Sequence, residues 1–128
     1  MLPELKKVYV TNTEIIGIFE SEREPNVEYV AKLSFTLRKK YCSCPDFLFR
    51  NDLNRYYRRN TYTCKHIAFL EAIIRYPPLV YKLIKSNKID HYNYMRLTYN
   101  LQQYHKFFNK LFLNFSVLRE LYNDSSFK

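Results

Sequence analysis

All three cysteines of the chain fall in one stretch, YCSCPDFLFRNDLNRYYRRNTYTCKHIAF at residues 41–69. They form two one-residue-gapped pairs, Cys42 with Cys44 and Cys64 with His66. On an extended chain, side chains two apart point the same way, so Cys42 and Cys44 can aim at one point, and Pro45 biases Cys44 toward extended backbone. Inside a regular helix such a pair diverges, so Cys64 and His66 must straddle a helix start. Thr63 carries an oxygen suited to capping that helix, whose positive end would help keep the Cys64 sulfur ionised. A structural zinc takes four tetrahedral ligands at about 2.0–2.3 Å, and a strand-like pair, a loop and a helix-start pair are a layout that supplies them. The same residues also read as ordinary buried cysteines beside a core histidine, as a catalytic zinc site with an open position, or as a Cys64 thiol nucleophile with His66 as its base. Reduced thiols in an intracellular chain favour metal or catalysis over disulfides.

The motifs CSCPDF and CKHIAF resemble the SWIM zinc finger, which is Cys-x-Cys, a variable spacer, then Cys-x-His in a strand-strand-helix unit. The likeness covers about residues 27–75. It implies one structural Zn2+ held by Cys42, Cys44, Cys64 and His66. The chain departs from the family in its long charged spacer, Pro45 to Thr63, and in Phe69, where a small residue often stands three positions after the histidine; Ala68 precedes it. SWIM domains occur in transposase-like and chromatin-associated proteins, and also in recombination mediators and ubiquitin-pathway proteins, where they contact other proteins. The resemblance therefore implies either a DNA-binding factor or a protein–protein adaptor without nucleic-acid contact.

Charge bears on that choice. The formal net charge is +9, and residues 1–40 are nearly balanced, so the excess begins at the cysteine segment. A field of this sign attracts polyanions. The zinc site, with three thiolates, would itself be negative, so attraction must come from Lys39 and Lys40 before it, Arg50, Arg55, Arg58 and Arg59 in the spacer, and Lys65 between the last two ligands. The run RYYRR (55–59) interleaves arginines with Tyr56 and Tyr57, which suits phosphate contacts and base stacking as well as it suits a solvated loop. Nucleic acid, DNA rather than RNA, is the expected partner. No enzyme is expected: Gly17 is the only glycine, so no phosphate-cradling loop exists, and no acidic cluster is recognisable.

Alternation of apolar and polar residues predicts strands at 7–11, 14–20 and 27–37. Ile67, Leu70, Ile73 and Ile74 predict a helix ending before Pro77, and a second helix is expected over 78–86. Asp90 reads as the N-cap of a longer helix bearing the seam Leu97, Leu101, Tyr104, Phe108, Leu111, Phe115, Leu118 and Tyr122. Unbroken, it would run about 50 Å, so it either folds back on the core or pairs with a second copy as a homodimer. The expected fold is α+β: a small antiparallel sheet of about three strands leading into a strand-strand-helix zinc finger, then a helical C-terminal half. Residues 1–90 form the zinc-binding unit and 91–128 an amphipathic helical extension. His91 and His105 have no partner at metal spacing. Neither a signal peptide nor a membrane-spanning run is evident, so an intracellular location, cytoplasmic or nuclear, is expected.

Overall fold

The computed structural model describes residues 3–56 and 62–104. Four strands, β1 (Glu4–Val10), β2 (Glu14–Glu20), β3 (Glu28–Ser34) and β4 (Lys40–Cys42), are followed by four helices, α1 (Pro45–Tyr56), α2 (Lys65–Arg75), α3 (Pro77–Lys85) and α4 (His91–Tyr104). The strands form one antiparallel sheet in the order β1-β2-β3-β4. The fold is thus α+β, with four strands where about three are expected.

Polar side chains build the turns. Thr11 Oγ1 accepts the N–H groups of Thr13 and Glu14, which closes the β1–β2 hairpin. Ser34 Oγ accepts those of Arg38 and Lys39 and turns β3 into β4, with Leu37 in left-handed backbone at φ 65°. The third strand therefore stops at Ser34 rather than at Leu37, and the chain reverses early enough to add β4.

Register decides what each face of the sheet offers. Val8, Gly17, Ala31 and Cys42 lie in one row across the four strands, all buried. Helix α2 packs on this face through Ile67, Leu70, Ile73 and Ile74, all fully buried. Gly17 makes that approach feasible: a Cβ there would stand 2.8 Å from Phe19 Cε2 and 2.9 Å from Leu70 Cδ2. Among the described residues, the only glycine of the chain is thus placed by packing and not by a turn.

Helix α4 covers the free edge of β1. The Oδ1 of buried Asn93 accepts the Val10 N–H at 2.8 Å, and Asn100 Nδ2 donates to the Thr11 carbonyl at 2.7 Å. These bonds satisfy backbone groups that would otherwise template another strand. Asp90 caps the helix as expected, its Oδ1 accepting the Asn93 N–H at 2.7 Å. Before it, α3 begins on prolines and ends with Asn87 at φ 63°, where the N–H groups of Asn87 and Lys88 return to the Ile84 and Leu83 carbonyls. This is the Schellman arrangement, and it turns the chain so that the Lys88 carbonyl accepts the Val8 N–H.

Of the heptad seam, Leu97 and Leu101 are fully buried within the chain, and Tyr104 stacks on Phe35 at 5.6 Å between ring centroids. Phe108, Leu111, Phe115, Leu118 and Tyr122 lie outside the described residues, as does His105. No helix among the described residues is long and apolar enough to cross a membrane.

Candidate metal centre

Two helices start on cysteines. Cys44 directly precedes α1, and its Sγ accepts the Phe47 N–H at 3.3 Å, while its carbonyl accepts the first helical bond from Leu48. Cys64 is the N-cap of α2 in extended backbone, φ −76° and ψ 171°, and its carbonyl accepts the Ala68 N–H. Cys42 ends β4, and His66 is the second residue of α2. At α1 the Cys44 sulfur takes the capping role that oxygen usually holds, whereas Cys64 occupies the N-cap position of α2 without a side-chain cap bond; a helix N-terminus favours an ionised sulfur. Thr63 caps nothing: the helix begins one residue later, and Thr63 Oγ1 instead accepts from Lys40 Nζ at 2.6 Å.

The four donor atoms lie within 4.8 Å of one another, and all four residues are buried. His66 Nδ1 is 3.6 Å from Cys42 Sγ and 3.9 Å from Cys64 Sγ. In a tetrahedral zinc site the bond lengths put sulfur and nitrogen about 3.6 Å apart and two sulfurs about 3.8 Å apart. His66 Nδ1 therefore already stands near the separation one zinc ion requires from two of the sulfurs, and no two of the four donors are more than 4.8 Å apart. Phe19 and Tyr29 hold the imidazole in place, with ring centroids 4.9 and 5.6 Å from it.

Electrostatics of the four side chains are uneven. The Cys64 thiol is pulled down to about 4, first by the hydrogen bond from Cys42, then by His66 and the N–H groups of Ile67 and His66. Its partner Cys42 is pushed up, by that same bond and by burial. Burial also raises Cys44, against the Phe47 N–H. One ionised sulfur thus sits among protonated ones, a pocket that gains by exchanging protons for a cation.

The spacer is not a loop over its first part. Residues 45–56 form α1, with Pro45 at its first position and Asp46 in its first turn, and Phe47 is buried beneath it. The far end of the excursion is tied back by Tyr62, whose Oη donates to the Asp46 carboxylate. That bond, with burial, pushes the Tyr62 hydroxyl up to about 12. Arg50 lies over the Tyr62 ring at 5.6 Å and 3.7 Å from Asp46. Sequence reasoning missed both Asp46 and Tyr62.

The basic residues are dispersed in role. Lys39 is exposed in the β3–β4 turn, Lys40 reaches Thr63, Arg50 joins Asp46 and Tyr62, and Lys65 pairs with Glu22 at 2.8 Å. The backbone of Arg55 is in α1, while Arg58 and Arg59 lie outside the described residues.

The chain matches no protein-family model, no curated protein and no solved structure. What the geometry defines is a buried Cys3His cluster able to hold a metal ion.

Proposed function

We propose that the chain is a small basic zinc protein of SWIM type, whose one Zn2+ is structural and which binds DNA or takes part in a DNA transaction. The observation that carries the reading is the convergence of Cys42, Cys44, Cys64 and His66 within 4.8 Å. Four protein donors fill a tetrahedral shell, which is the pattern of structural rather than catalytic zinc. The ion would join the end of β4 to the start of α2 and bring back both ends of the 45–63 spacer. A net charge of +9 supports a polyanionic partner.

The test is titration of DNA at low and moderate salt. Affinity is expected to fall steeply with salt, and charge reversal at Arg55, Arg58 and Arg59 should remove much of it. Weak binding that ignores both changes would contradict the reading. A second reading, a protein–protein adaptor, is favoured by one observation: Tyr92, Met95 and Tyr99 expose their side chains along one side of α4.

A further inference from the structure

Helix α2 covers one face of the sheet, and the opposite face carries a different set of side chains. Tyr9, Ile16, Lys32 and Tyr41 lie in a single register row across all four strands. Lys7, Ile18 and Val30 form the adjacent row. Tyr9 and Tyr41 are each 45% exposed, and Ile16, Ile18 and Val30 are only half-buried. Helix α1 meets this face at the β4 edge, where Phe47 touches the Tyr41 ring.

Its chemistry is selective. Glu20 and Glu28, at one end, are tied to Lys6, and Glu14 stands at the other end. Between them, Lys7 and Lys32 have no ion-pair partner among the described residues. The face thus presents two aromatic rings on its outer strands, about 14 Å apart at three strand spacings. Lys32 stands in the row of these rings and Lys7 in the adjacent one. Tyr41 is held by its neighbours: Cys42 follows it, and its ring meets Phe47 edge-on at 6.0 Å.

We infer that this open sheet face binds single-stranded DNA, with bases stacked on Tyr9 and Tyr41 and phosphates contacted by Lys7 and Lys32. The inference rests on the DNA-binding function proposed above and specifies the form of DNA. In a duplex the bases are already stacked and paired, so the rings would meet no free base face, whereas an unpaired strand offers one at every nucleotide.

The zinc-loaded full chain should be titrated by fluorescence anisotropy with a labelled oligo-dT of about 12 nucleotides and with a duplex of equal length. Tighter binding of the single strand is expected. Tyr9→Ala and Tyr41→Ala should each weaken it about tenfold, Tyr→Phe at either position should retain it, and Lys32→Glu should weaken it and flatten its salt dependence. In the unaltered protein, the ring resonances of Tyr9 and Tyr41 should shift as the oligonucleotide is added. Rings that stay unshifted at saturation overturn the inference, as does DNA binding that only the Arg55, Arg58 and Arg59 reversals abolish; the proposed function survives both results. A dimer that Tyr9→Ala or Tyr41→Ala dissociates also overturns it, assigning the face to a second copy. Absence of binding to either DNA form removes the inference and the proposed DNA function together.

Discussion

Cys42 Sγ lies 3.6 Å from His66 Nδ1, although one ends the last strand and the other sits in the first turn of α2. The separation equals what a shared zinc ion would impose, so the ion would substitute for the hydrophobic contacts that a three-residue strand cannot make. Removing a ligand should therefore act on folding. Cys44→Ser, or a strong chelator, is expected to lower the thermal midpoint sharply and to melt residues 41–75 first, read by hydrogen exchange. Unchanged protection there would mean that no metal supports the fold.

Proton release fixes the pH dependence. In the metal-free pocket Cys64 is ionised above about 4, whereas Cys42 and Cys44 are held protonated. Metal must displace those two protons, so zinc affinity should rise with pH, with a slope in log K of about two near pH 8. For the metal-free chain the sign is that of a depressed acid. The Cys64 thiolate stabilises the fold above the ordinary thiol range, and that contribution fades as pH falls toward about 4. Competition titrations with a chelator at several pH values measure the slope; a flat profile would contradict the assignment.

Gly17→Ala tests the contact between sheet and helix. The added methyl would meet Phe19 and Leu70 inside 3.0 Å, and both side chains are fully buried, so neither can swing aside freely. A loss of about 1–3 kcal/mol in urea unfolding is expected, with zinc still bound. Neutral stability would show that α2 rides farther from β2 than described.

The edge of β1 gives another test. Asn93→Leu removes the acceptor for the Val10 N–H and the donor to the Asp90 carboxylate, groups 2.8 and 3.0 Å from it. Leaving a buried N–H unpaired costs about 1–3 kcal/mol, and the uncovered edge invites strand pairing between chains. Lower stability together with concentration-dependent aggregation is the expected result. A stable monomer would show that α4 does not guard the edge.

Legibility in the sequence followed the periodicity of burial. The alternation in β2 and β3 and the Ile67, Leu70, Ile73, Ile74 stripe each mark a single buried face, so strands and α2 were readable. Helix α1 was not, because Phe47 alone is buried there among the described side chains while Leu48 and Phe49 face outward. Its start was hidden too, since the capping atom is the sulfur of Cys44, a residue no oxygen-based rule flags. Pro45 followed by Asp46 was the available signal. Leu37 concealed the turn into β4, left-handed backbone being rare for a branched apolar residue. Asn93 and Asn100 resemble surface residues until β1 is placed beside them. The four donors were legible as two pairs, but only the structure shows them meeting in one buried pocket.

X-ray absorption at the zinc edge of the purified protein tests the central claim most directly. One zinc per chain is predicted, with three sulfur neighbours at about 2.3 Å and one nitrogen at about 2.0–2.1 Å. A protein that carries no zinc, or zinc surrounded by oxygen and nitrogen alone, would contradict it.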